Sequence, residues 1–336
     1  MAAMNPAAKI CSLLVALVSF AGVEQVAAQL PVISLGLFPG VVISGKVGYT
    51  YAIQTSTNLS NTNDWVTITN VTLRQLPQIW CDASSDTTKP ANPKKFYRVY
   101  ELPAPEGFAL VMAGSLPGDS WAGVQNVATF FMAKTETTWA QWQAVKPWAI
   151  ENGYTDLAAG SGSGDRPVTV VSWYQTLKWC NARSQHEGLT PVYTVGGAVY
   201  KTGNAVPDVN TSANGYRLPS EKEWEFAARG GVNTHGYTYS GSNDVNAVAW
   251  YLQNSGVGGN THDVGSKQAN ELGIFDMSGN VVEWCFDLDG SGPLRVRRGG
   301  HSYSNVGYCR VTERESATMI TFENSLGFRV ARNSVP

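Results

Sequence analysis

The chain has 336 residues, enough for two domains and a sizeable core. Its formal net charge is −2 and only 15% of its residues are charged, which removes any electrostatic ground for a nucleic-acid partner. With 34 glycines and 11 tryptophans, the composition argues against a helical bundle and for a loop-rich fold of tight turns, in which each buried indole N–H needs an acceptor.

The N-terminus has the layout of a secretory signal peptide over residues 1–28. Lys9 supplies a positive charge, residues 10–23 are apolar, and Val26-Ala27-Ala28 places small residues before Gln29. The apolar run is short for a bilayer span, which takes about 20 residues, and no later stretch is long and apolar enough to cross a membrane. The expected location is therefore secreted or periplasmic, where disulfides are permitted. Of five cysteines, Cys11 leaves with the signal. Cys81, Cys180, Cys285 and Cys309 remain, and sequence alone does not choose among their three full pairings. No CxxC or HExxH occurs, so neither a zinc ribbon nor a histidine-built metal site is expected.

Residues 30–101 read as a small antiparallel β module. Val41-Val42-Ile43, the alternating stretch 48–55, Trp65-Val66-Thr67-Ile68 and the run 95–100 have strand character, with turn formers at Asn61-Thr62-Asn63-Asp64 between them. Pro103-Ala104-Pro105 makes a stiff linker.

Beyond it the pattern changes. Thr138 and Gln141 form a capping-box start, a second helix begins at Ser172 and stops at Gly188, and Ser220-Glu221-Lys222-Glu223 caps a third that ends at Gly230-Gly231. Residues 191–216 read as a hairpin insertion with glycines placed for turns. The remainder, 232–336, is rich in Gly, Asn and Ser, with short strands and no clear helix.

Six segments stand in a telling order. They are Thr135-Glu136-Thr137-Thr138, the stretch 167–173, the stretch 216–231, Gly273-Ile274-Phe275-Asp276-Met277-Ser278-Gly279-Asn280-Val281-Val282-Glu283-Trp284, Arg298-Gly299-Gly300 and Gly327-Phe328-Arg329-Val330. Residues 107–333 thereby resemble the formylglycine-generating enzyme (sulfatase-modifying factor) family. The resemblance implies an α+β fold of the C-type-lectin-like kind, irregular and loop-rich, here preceded by the small all-β module. It also implies a copper-dependent oxidase that uses oxygen to convert a sulfatase cysteine into formylglycine.

Such an oxidase holds Cu(I) with two soft thiolates. By the family's spacing after Arg298-Gly299-Gly300, one position falls on Cys309 and the other on Ser304, a hard and weak substitute. The supporting serine position is occupied by His301, with Ser302 next. Cys309 then has three readings: a copper ligand, with His301 as a possible partner; one half of a disulfide; or a small buried apolar residue. The structural readings come first.

Gly279-Asn280-Val281-Val282-Glu283 resembles a calcium loop of the family, with side-chain oxygens from Asn280 and Glu283 and carbonyls from Gly279 and Val281 or Val282. The bland reading is that Asn280 and Glu283 only hydrogen-bond a turn. Two functions follow. One is an exported oxidase acting on a sulfatase. The other is a non-catalytic lectin-like scaffold presenting loops that bind a protein or a glycan; for either, the expected protein partner is a sulfatase or another exported protein.

Overall fold

The computed structural model describes residues 40–43, 50–57, 66–72, 78–81, 96–101, 104–121, 123–290 and 292–334. The expected signal segment, 1–28, lies outside them. The chain divides into two compact units, 1–103 with Pro336, and 104–335.

The first unit contains β1 (Gly40–Ile43), β2 (Thr50–Ser56), β3 (Val66–Thr72), β4 (Gln78–Cys81) and β5 (Phe96–Glu101). Strands β3, β2 and β5 form an antiparallel sheet with β2 in the middle, and β1 pairs antiparallel with β4. β4 is absent from the sequence reading, because Gln78-Ile79-Trp80-Cys81 is too short to show a period. A bulge at Ile53/Gln54 shifts the register against β3, so the burial alternation changes phase there: Tyr51 and Ile53 are buried before it, Gln54 and Ser56 after. Ile43, Tyr51 and Ile53 form the unit's core, with Trp80 and Tyr97 edge-on beside them at 6.3 Å.

The second unit begins with β6 (Phe108–Val111), β7 (Gly114–Ser115), β8 (Asn126–Val127) and β9 (Phe130–Ala133), followed by helices α1 (Trp139–Glu151) and α2 (Trp173–His186). Then come β10 (Tyr193–Val195), β11 (Ala198–Val199), β12 (Asp208–Val209), β13 (Tyr216–Arg217), α3 (Glu221–Ala228) and a single turn, α4 (Val245–Val248). The chain finishes with β14 (Val282–Leu288), β15 (Leu294–Arg298), β16 (Arg314–Thr318), β17 (Leu326–Gly327) and β18 (Ala331–Asn333). Two four-stranded sheets, ordered β13-β18-β9-β6 and β16-β15-β14-β17, carry the unit; β14 and β17 run parallel and the other pairs antiparallel.

The caps behave as local chemistry dictates. Thr138 and Ser220 each accept from the backbone N–H three residues on, and Gln141 and Glu223 reach back to the cap N–H. Ser172 caps α2, and Gly188 follows its end with φ of 71°. β10 and β11 form the expected hairpin through Gly196 and Gly197, both at positive φ. The sequence reading has no helix after 231, whereas α4 and short 3-10 turns at Gly231–Asn233 and Val306–Cys309 are present. One turn is too short for a periodic signal; Asp244 starts α4 by accepting from Asn246 N–H.

Two cores lie against the sheets. Around α1 and α2, Trp142 and Trp179 stack at 5.8 Å with Phe328 edge-on to both. Around α3, Trp224 and Phe226 pack with Met277, Cys285 and Val296. Fully burying a large apolar side chain contributes about 1.5–3 kcal/mol. The indole N–H groups are satisfied: Trp173 donates to Cys285 O at 3.0 Å, Trp284 to Val171 O at 3.2 Å and Trp142 to Ala158 O at 3.2 Å.

Candidate functional site

Two glycines let the site's loops meet. A Cβ on Gly279, at φ 82°, would stand 2.2 Å from Trp250 O, and one on Gly300, at φ 68°, 2.7 Å from Tyr308 O and 3.2 Å from Cys309 N. Only glycine allows both the backbone angle and these approaches. Gly300 thus brings the 3-10 turn at Val306–Cys309 against the loop that carries His301, Ser302 and Ser304.

Asn280, at φ 61°, ties three segments together. Its N–H donates to Trp250 O at 2.8 Å, its carbonyl accepts from Ser302 N–H at 3.0 Å, and its side chain pairs with the backbone of His262 through 2.9 and 3.2 Å bonds. Ser302 is fully buried, and its hydroxyl donates to Gly259 O at 2.6 Å. Ser304 Oγ accepts from His301 N–H at 3.0 Å, and its N–H donates to His301 O at 2.7 Å. His301 Nδ1 accepts from Tyr303 N–H at 3.2 Å, which makes the ring a neutral Nε2–H tautomer. Burial, with Arg297 nearby, also holds its pKa below the ordinary value.

Cys309 is fully buried against Ala249 and Tyr251. Burial pushes its thiol pKa up to about 12, so it carries its proton at neutral pH. Its carbonyl accepts from Ser278 Oγ at 2.7 Å. Cys180, Cys285 and Cys309 are all free and buried.

The residues at the expected copper position do not fit Cu(I). Cys309 is the one soft donor there, it is fully buried, and Ser304 is a hard oxygen that accepts from His301 N–H. The two side chains expected to hold calcium do not fit the ion either. Both Glu283 oxygens are taken by Arg329, which donates from Nη2 to Oε1 at 2.6 Å and from Nε to Oε2 at 2.7 Å. Trp224 Nε1 adds a third bond to Oε2 at 2.7 Å. The Asn280 side chain is spent on His262. At Gly279 and Val282, whose carbonyls were the expected donors, the N–H groups donate to Gly299 O at 2.8 Å and Ser325 O at 2.9 Å. Among the described residues, no three His, Cys, Asp or Glu side chains converge as a metal centre would need.

Sequence reasoning missed Glu136, Asp276 and Arg329 as one buried group around Glu283. All three lie in the six segments carrying the family resemblance, so the signal was present without a role attached. It also missed Tyr303, Val306, Tyr308, Leu252 and Val257, all exposed, on the two loops that meet at this site. Leu252 N–H donates to Ser304 O at 3.1 Å, and the Tyr303 ring lies against Gly259.

Residues 105–334 match the family described as the sulfatase-modifying factor enzyme 1-like domain. The chain belongs to this family. It is 36% identical over 214 residues to "Chaperone protein LppX" of Paenibacillus barcinonensis, covering 55% of this chain and 74% of that protein. It is 33% identical over 150 residues to the formylglycine-generating enzyme of Streptomyces coelicolor, covering 36% of this chain and 48% of the enzyme. It is 28% identical over 206 residues to the inactive C-alpha-formylglycine-generating enzyme 2 of Bos taurus, covering 54% of this chain and 57% of that protein. The crystal structure of CarF superposes with a TM-score of 0.60 at 30% identity, covering 68% of this chain and 99% of CarF. The chain thus spans about half the length of the two relatives named for formylglycine generation.

Proposed function

We propose that this protein is an exported, non-catalytic member of the sulfatase-modifying factor family that binds another exported protein. The observation that carries this reading is the state of the expected copper position: Cys309 is a buried thiol, and the second position is a serine whose oxygen is engaged by His301 N–H. Cysteine oxidation needs a metal that holds oxygen and substrate thiolate together, and one sulfur supplies too few soft donors. The export half of the reading rests on the signal-peptide pattern of residues 1–28.

The binding face is the pair of loops at 251–260 and 301–308. Tyr303 and Tyr308, each nearly half exposed, stand with Leu252, Val257 and Val306. The two loops meet through Leu252 N–H to Ser304 O and through the Tyr303 ring against Gly259, and exposed aromatic and aliphatic side chains on them suit protein contact. The similarity to a protein named as a chaperone supports a role in holding another chain.

The test uses the full chain with a Cys-x-Pro-x-Arg peptide, copper and oxygen, beside an active family enzyme. No peptide aldehyde and no firmly held Cu(I) are expected. Aldehyde that forms with the intact protein and disappears in Cys309→Ser would establish the oxidase instead, with a sulfatase as its client.

A further inference from the structure

Where the chain enters the family domain, the segment at Glu106, the end of β9, the start of α1 and Arg183 of α2 enclose a small pocket of about 130 Å³. Phe108 and Val330 give it apolar surface, and Glu106, Lys134, Thr137, Gln141 and Arg183 give it polar groups. None of its lining residues belongs to the loops at 251–260 and 301–308. The donors around it are unspent. Thr137 is 2% exposed, and its hydroxyl has no hydrogen-bond partner among the described residues. Arg183 is held from behind: its Nε donates to Glu187 Oε1 at 2.9 Å and its guanidinium lies over the Tyr216 ring at 4.1 Å. The Tyr216 hydroxyl donates in turn to Glu187 Oε2 at 2.5 Å. Both terminal nitrogens of this fixed guanidinium are without a hydrogen bond among the described residues. Gln141 Oε1 accepts from Thr138 N–H at 3.1 Å, which leaves its NH2 group as the free end. Lys134 is exposed at the rim.

A buried hydroxyl without a partner is costly, and a ligand that accepts from it removes the cost. Donors gathered around one pocket without an internal acceptor suit an acceptor from outside. We propose that this pocket binds a carboxylate, with the Arg183 fork on its two oxygens and Thr137 and Lys134 adding donors. A planar guanidinium matches a planar carboxylate, whereas an ammonium does not. The lining carries one net positive charge, Arg183 and Lys134 against Glu106, and Glu187 behind Arg183 reduces it further. That balance suits a singly charged acid and disfavours a phosphate dianion. A cavity of about 150 Å³ holds a benzene-sized molecule. The space here therefore admits either a free acid of a few carbons or the terminal carboxylate of a peptide.

The test titrates the full chain at neutral pH with acetate, with phosphate, and with N-acetylglycylglycine as free acid and as amide, following the broadening of ligand NMR signals. Saturable acetate binding is expected, weakened about tenfold in Thr137→Val and in Arg183→Lys. Glu106→Gln should tighten it, because a rim carboxylate repels the ligand. Thr137→Val removes an oxygen that bonds to nothing in the fold, so its melting temperature should equal or exceed that of the wild type and its loss of binding reads the site rather than folding. Tighter binding of the peptide acid than of acetate assigns the pocket to a chain end; acetate binding with the peptide excluded assigns it to a free acid. No saturable acetate binding overturns the proposal, as does binding that Thr137→Val and Arg183→Lys leave unchanged. Equal binding of peptide amide and peptide acid overturns it as well, and so does phosphate bound more tightly than acetate.

Discussion

Arg329 makes four hydrogen bonds, two to Glu283 and one each to the carbonyls of Ala133 and Phe275, while completely buried. It does inside the fold what a bound cation would do: it neutralises a carboxylate and gathers carbonyls. Replacing it removes the cation paired with Glu283 and leaves the Trp224 N–H on a buried charge, and losing the partner of a buried ion costs about 3–5 kcal/mol. Arg329→Met should therefore lower the denaturant midpoint by that much or prevent accumulation of folded protein, whereas Arg310→Met, at an exposed position, should change little. At this scale the sequence was legible only in part. A serine, Ser304, at a position where the family resemblance implies a cysteine is plain from the residue type. The commitment of Glu283 to Arg329 was not legible, because the partners stand 46 residues apart.

The helices show how much local chemistry can carry. Ser220 accepts from Glu223 N–H, while Glu223 takes the Ser220 N–H and hydroxyl and both terminal nitrogens of Arg217. Ser220→Ala should cost about 1 kcal/mol, measured as a shift in the denaturant midpoint. Burial pushes the Glu223 carboxyl up, but Arg217 and Ser220 outweigh it and the net pKa is lowered. A lowered folded-state pKa gives stability that is present above the ordinary carboxyl value, about 4.3, and is lost as pH falls through the folded value. The cap network therefore weakens in acid. The three helix starts were readable because a cap and its partner lie within three residues. β4 and α4 were not, since four residues show no period and their stability comes from packing.

For the whole family domain, the absence of a fitting donor set at Gly279–Glu283 leads to a simple expectation. Excess chelator should leave the melting temperature of the purified protein unchanged, and added calcium should not raise it; a calcium-dependent rise would show donors other than Asn280 and Glu283 at work. The sequence by itself determined the family, the α+β class, the order of the blocks and the helix starts. All of these depend on residue identity and on contacts within a few positions. The tertiary structure alone decided which polar groups are free. Cys309 is buried because Ala249 and Tyr251 pack with it, and both Glu283 oxygens are taken because Arg329 arrives from 46 residues away. Desolvation and long-range pairing set the chemistry of a side chain, and neither is written in the residues beside it.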